Sequence, residues 1–147
     1  MTTQRKPLEI ELSLPVKTYD IDFAGIVSNI VYVRWFEDMR LDILSNSFPL
    51  EEQMAAGFVP ILLQTKIDYK QSLVLGDRPI GKMWVESLES LRWVVSAEIT
   101  IGDKISAFGQ QMGVFVNIDT KKPMRIPERM KQQYAESIAS LAPGVIA

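Results

Sequence analysis

Apolar and polar residues alternate from near the start of the chain, with Ile10, Leu12, Leu14 and Val16 set between Glu9, Glu11, Ser13 and Pro15. A period of two puts the apolar set on one face of an extended segment, so residues 8 to 22 read as a strand. Pro15 confines it to an edge or a bend. From Asn29 to Ser45 the period becomes helical, since Tyr32, Trp35, Phe36, Met39 and Ile43 fall on one stripe. Ile30, Val33, Leu41 and Leu44 lie among Arg34, Glu37, Asp38 and Arg40 on the remaining circumference. That suits a helix wrapped by a curved sheet, with a further face near a partner subunit.

A short helix is expected at Leu50 to Ala56, and strands after it. Phe58 to Gln71 is the first, followed by Leu73 to Asp77, where Gly76-Asp77 marks a turn. Residues 79 to 88 supply the next. Trp93, Val95, Ala97, Ile99 and Ile101 alternate with Arg92, Val94, Ser96, Glu98 and Thr100, then Gly102-Asp103 signals a tight hairpin. Phe108, Gln110, Met112, Val114, Val116 and Ile118 carry the apolar pattern onward. Pro127-Glu128 opens a C-terminal helix with Met130, Tyr134, Ile138 and Leu141 as its face. One strand, a long helix and a four-strand antiparallel run make an α+β pattern in a single domain, 1–147.

Composition narrows the chemistry. The 147 residues include no cysteine and no histidine, which removes disulfides, thiolate metal sites, cysteine nucleophiles and imidazole catalysis. Carboxylates, hydroxyls, amines and the backbone remain, and no metal site is expected. A net charge of −2 gives no basic footprint for nucleic acid. The N-terminal stretch lacks the apolar core of a signal peptide, and nothing approaches the ~18 apolar residues of a membrane span, so a cytoplasmic protein is expected, with no membrane partner.

One segment concentrates the chemical possibilities. Tyr19-Asp-Ile-Asp-Phe-Ala-Gly25 places Asp22 three residues before a glycine, where a helix is about to begin. A carboxylate there is either a turn or capping residue, or a nucleophile or base beside the free N–H groups of a helix N-terminus. Asp20 competes with it, because in an extended segment the two share a face and repel. Gly25 is either a turn residue or a point of close backbone approach.

The run YDIDFAGIVSNIVYVRWFEDMR resembles the opening signature of hotdog-fold acyl-CoA thioesterases of the 4-hydroxybenzoyl-CoA thioesterase type. The likeness continues through IDYKQSLVLGD and LRWVVSAEITI, covering about residues 15 to 135. It implies a hotdog fold, an antiparallel sheet wrapped around a long central helix. It also implies that Asp22 is the catalytic carboxylate, attacking the thioester carbonyl or activating water, while N–H groups of Gly25, Ile26 and Val27 bind the oxyanion. Many relatives carry histidines where this chain has Ile26, Ser28 and Asn29. Asn29 matches the frequent asparagine of the motif and either orients water or caps the helix.

The same resemblance implies an acyl-CoA substrate, with coenzyme A as part of that substrate and no separate cofactor, and a homodimer or tetramer that assembles the site between subunits. Lys121, Lys122 and Arg125, together with Lys66 and Lys70, are the cations available for its phosphates; each is equally a solvated surface charge. Trp35, Trp84 and Trp93 read as core or interface, and Phe58, Val59 and Ile61 as core in preference to an acyl pocket. An acyl-carrier-protein thioesterase and a non-catalytic acyl-binding protein are the alternatives. A hotdog dehydratase ranks low without a histidine.

Overall fold

The computed structural model describes residues 5–146. Met1 to Gln4, which open both the expected domain and the stretch read for a leader, lie outside the described residues, as does Ala147. The elements are β1 (Ile10–Ser13), α1 (Asn29–Ser47), α2 (Leu50–Ala55), β2 (Phe58–Tyr69), β3 (Ile80–Leu88), β4 (Arg92–Ile101), β5 (Lys104–Asn117), β6 (Pro123–Met124) and α3 (Glu128–Ile146). The strands form one antiparallel sheet in the order β1-β3-β4-β5-β2, with β6 added to β5.

Helix α1 lies on one face of this sheet and buries Val31, Tyr32, Trp35, Phe36, Met39 and Ile43 against it. The last five are the stripe that the helical period predicts, and Val31 widens it by one position. Trp35, Trp84 and Trp93 are all buried. Ile30, Val33 and Leu41, on the other side of α1, are exposed.

The first strand is shorter than its pattern suggests. Only Ile10–Ser13 pair with β3, although Leu14 and Val16 still donate to Pro79 and Asp77. Pro15 has no N–H to contribute, and at Lys17 the backbone N–H turns to the Asp20 carboxylate, 2.8 Å away. That local bond closes a single 3-10 turn at Thr18–Asp20 in place of an extended strand to residue 22.

Strand β5 departs more instructively. Its core-facing residues are Ala107, Gly109, Gln111, Gly113 and Phe115, the opposite parity to the apolar series Phe108 to Ile118. The reason is crowding by the main chain of β2, at Lys66 O and Ile61 O, and by the rings of Phe36 and Trp93. A Cβ at Gly109 would stand 3.0 Å from the Phe36 ring, and one at Gly113 would collide with the Trp93 indole. At Gly109 and Gly113 side chains are therefore excluded from the inner face, although Gln111 and Phe115 still point inward.

Smaller differences follow the same logic. Ile61, expected in the core, is 39% exposed on β2, while Phe58 is buried and Val59 is half-buried. On α3, Met130 is buried and Tyr134 packs against the core, but Ile138 is exposed. The two-residue β6 carries no pattern of its own. No helix among the described residues is long and apolar enough to cross a membrane.

Candidate active site

The segment between the 3-10 turn and α1 is a tight loop. Ile21 and Val27 form an isolated antiparallel bridge, made by the Asp22 N–H donating to Ile26 O at 2.9 Å and the Ser28 N–H donating to Asp20 O at 2.9 Å. Within it the Gly25 N–H donates to Asp22 O at 3.0 Å, and Gly25 adopts φ +79, a left-handed conformation that glycine enters without a Cβ penalty. A Cβ there would touch nothing within 4 Å, so the demand is for conformation rather than space.

The two carboxylates face different surroundings. Asp20 is buried and accepts from Lys17 N–H, so it stabilises the preceding turn. Asp22 is half-buried, and its Oδ1 accepts from the Ala24 N–H at 2.8 Å in an exposed Asx-type turn, leaving Oδ2 open. Because residue 20 lies in a 3-10 turn, the two do not share the face that an extended segment would give them. Tyr19 is 78% exposed, Phe23 is 103% exposed and Ile30 is 58% exposed around this loop.

Not every N–H near Asp22 is free. Val27 donates to Leu73 O at 2.8 Å and Gly25 is engaged as described, whereas among the described residues the Ile26 N–H has no acceptor. The helix cap is Ser28, with no side-chain bond to the helix, and Asn29 is the first helical residue with an exposed side chain. Asn29 therefore does not cap α1. Its carbonyl oxygen accepts the Tyr69 O–H at 3.2 Å, which ties the end of β2 to the first turn of the helix.

Beneath that turn, Tyr32 O–H and Ser106 Oγ lie 3.1 Å apart, and Ser106 Oγ donates to Gln71 O at 2.7 Å. Burial pushes the Tyr32 phenol above its ordinary pKa, with the Tyr69 and Asp77 charges acting in the same direction. Tyr32 and Tyr69 also meet edge to face at 5.1 Å. Nothing in the residue pattern gave either tyrosine a role at the site, since Tyr32 falls on the apolar stripe of the helix and Tyr69 at the end of a strand between Asp68 and Lys70.

The five cations fall into two groups toward opposite ends of the paired strands β2 and β5. Lys66 pairs in register with Gln110, and Lys70 N–H donates to Ser106 O, next to the segment that Val27 meets. Lys121, Lys122 and Arg125 follow β5, beyond Asn117. From Gln110 to Asn117 is seven residues, roughly 23 Å along a strand. Lys66 and Lys70 thus share the Asp22 end, while Lys121, Lys122 and Arg125 stand near the other end of α1, where Phe48 packs edge to face on Phe58. Lys17 and Arg34, which the residue pattern left unmarked, line a recess of about 280 Å³ between the Ser13–Asp20 segment and α1, together with Asp20 and Asp38. Among the described residues no group of three His, Cys, Asp or Glu side chains could hold a metal ion.

Residues 16–134 match the thioesterase-like superfamily. The long-chain acyl-CoA thioesterase FadM of Escherichia coli K12 is 21% identical over 131 residues, which cover 88% of this chain and 99% of FadM. Among solved structures, the DHNA-CoA thioesterase of Staphylococcus aureus superposes with a TM-score of 0.79 at 24% identity, covering 92% of this chain and 93% of that one. A hypothetical protein from the same organism, determined in complex with CoA, gives 0.82 at 18% identity, covering 92% of this chain and 87% of that one. The helix on its antiparallel sheet is therefore the hotdog fold, and the chain, a thioester hydrolase by class, belongs to the thioesterase-like superfamily.

Proposed function

We propose that this protein hydrolyses acyl-CoA thioesters to a carboxylic acid and free coenzyme A, with Asp22 as the reacting carboxylate. The observation that carries this reading is the loop itself: Asp22 keeps an oxygen open beside the N-terminus of α1, in a loop where, among the described residues, the Ile26 N–H, like that of Phe23, has no acceptor. The carboxylate attacks the thioester carbonyl or draws a proton from an attacking water; either way the C–S bond breaks and the thiol leaves. The Ile26 N–H, aided by the positive end of the α1 dipole, stabilises the oxyanion, and one such preorganised donor is worth roughly 3 kcal/mol. Gly25 and Val27 hold the loop through their own hydrogen bonds, and the exposed Asn29 amide orients the water.

Two copies complete the site. The outer edge of β2 pairs with no strand among the described residues, and Ile61, Leu62 and Leu63 in its middle are exposed. Antiparallel pairing of two β2 edges about that middle sets the Tyr69 end of one against the Phe58 end of the other. Lys66 and Lys70 of one copy then approach Lys121, Lys122 and Arg125 of the second, which gathers the cations that a single chain keeps apart around the phosphates of coenzyme A. The exposed Tyr19, Phe23 and Ile30 fit a surface that is covered in use.

Thiol release from short, medium, long and aromatic acyl-CoAs tests the reading, with a folded Asp22→Asn variant beside the native chain. Turnover that falls on the order of 10²–10⁴-fold in the variant is expected for loss of a base or nucleophile. Equal turnover in both proteins moves the chemistry away from Asp22. Absence of turnover on every acyl-CoA sinks the reading, and a raised melting temperature with acyl-CoA in that case identifies a binding protein.

A further inference from the structure

Among the described residues, residues 22–28 donate four hydrogen bonds to main-chain oxygens. Three end within the loop, at Asp20, Asp22 and Ile26, and the Val27 N–H alone reaches outside it, to Leu73 O. The placement of the loop against the sheet therefore depends on where Leu73 lies. Leu73 is fully buried, yet it belongs to the irregular segment 70–79 that joins β2 to β3. The near end of that segment is held at Ser106. Lys70 N–H and Gln71 N–H both donate to Ser106 O, at 2.8 and 3.1 Å, and Ser106 Oγ donates to Gln71 O at 2.7 Å.

Ser106 can do this because β5 is irregular there. Thr100 and Ile99, neighbours on β4, oppose Ile105 and Ala107, so Ser106 is the extra residue of a bulge. A regular strand sends successive side chains to opposite faces, whereas Ser106 and Ala107 are both fully buried. The bulge turns the Ser106 hydroxyl toward α1, where the Tyr32 hydroxyl lies 3.1 Å away. A serine has one hydroxyl hydrogen and Gln71 O takes it, so Tyr32 is the donor in that contact. Burial raises the phenol pKa and keeps that donor proton in place.

We propose that Ser106 is a positioning residue for hydrolysis. Its hydroxyl clasps Gln71 O, which fixes the 71–73 segment; Leu73 O then holds Val27, and with it the Ile26 N–H and the Asp22 carboxylate. The effect on turnover rests on the acyl-CoA reading, while the clasp itself does not. Side chain and main chain of Ser106 serve different groups. Its main-chain oxygen keeps Lys70, one of the cations assigned to the substrate phosphates, and a change of side chain leaves that bond intact. Loss of the hydroxyl thus acts on the reacting groups and spares binding.

Ser106→Ala is compared with Ile43→Val, a core change near the far end of α1 that also lowers stability. Melting temperatures fall in both. In Ser106→Ala, kcat on acyl-CoAs is expected to drop about tenfold to a hundredfold with KM within about twofold, the penalty of slightly misplaced reacting groups. Ile43→Val keeps native kcat. Amide hydrogen exchange reads the clasp without turnover: the Val27 N–H is expected to exchange about fivefold to tenfold faster in Ser106→Ala, through local opening of the loop, and at the native rate in Ile43→Val. Should Ser106→Ala not fold, the Tyr32→Phe/Ser106→Ala pair, which strands no phenol, takes its place and is compared with Tyr32→Phe alone. Native kcat without the hydroxyl, an equal loss of kcat in Ile43→Val, or an unchanged Val27 rate overturns the inference and leaves the acyl-CoA reading standing. Faster Val27 exchange in a chain that hydrolyses no acyl-CoA upholds the clasp and sinks the acyl-CoA reading.

Discussion

Tyr69, the last residue of β2, donates its hydroxyl to the main-chain oxygen of Asn29, the first residue of α1, across 3.2 Å. One side chain thereby links the free edge of the sheet to the helix end that stands behind the Asp22 loop. Movement of the edge strand and placement of that helix end are mechanically joined through it.

Tyr69→Phe separates the two. The hydrogen bond is partly exposed, so its loss lowers stability by only about 0.5–1 kcal/mol in a denaturant melt. The larger expected effect is on thioester hydrolysis, where kcat drops severalfold with KM little changed, because the first turn of α1 is less well held. A variant with native kcat shows that the link is structural only.

Leu63 is 58% exposed at the middle of β2. Replacing it with lysine removes little from the isolated fold but puts like charges together wherever two β2 edges meet. Sedimentation should show Leu63→Lys as a monomer with a native circular-dichroism spectrum and no thioester hydrolysis. An oligomer that persists in the variant places the subunit contact elsewhere.

Tyr32 gives the pH dependence a direction. Burial raises its folded-state pKa above the ordinary 10, so between the two values the native state holds a proton that the unfolded state has lost. The contribution is fully present below pH ~10 and declines as pH rises through the folded value. Melting temperatures taken from neutral to strongly alkaline pH should fall above pH ~10. Tyr32→Phe should lessen the fall while lowering stability at neutral pH by about 1 kcal/mol for the lost Ser106 contact.

What the residue pattern disclosed and what it hid have different physical causes. The stripe of α1 was legible because five large apolar residues share one helical face, and the β4–β5 hairpin because Gly102-Asp103 closes it. The inward face of β5 was not. Apart from Phe115, its core positions hold glycine, alanine and glutamine, and at Gly109 and Gly113 the space belongs to the β2 main chain and to Phe36 and Trp93, so hydrophobicity pointed to the wrong side. At the loop, the order of Asp22 and Gly25 was readable, but the hydrogen bond that occupies Val27 depends on Leu73, far along the chain, and the Gly25 N–H is taken by Asp22 O within the turn itself. The cations likewise looked like one set only because sequence distance says nothing about which end of a strand a residue occupies.

The open edge of β2 also has a cost for the chain before it meets a copy of itself. A strand of twelve residues with unpaired amides and carbonyls is a template for any extended peptide, and Ile61 to Leu63 supply the greasy middle that ordered aggregates favour. Pro60 withholds one donor from it, and Lys66 and Asp68 interrupt its far half with charge. Those three residues act as gatekeepers for solubility during synthesis, when the partner concentration is lowest and the edge is longest exposed.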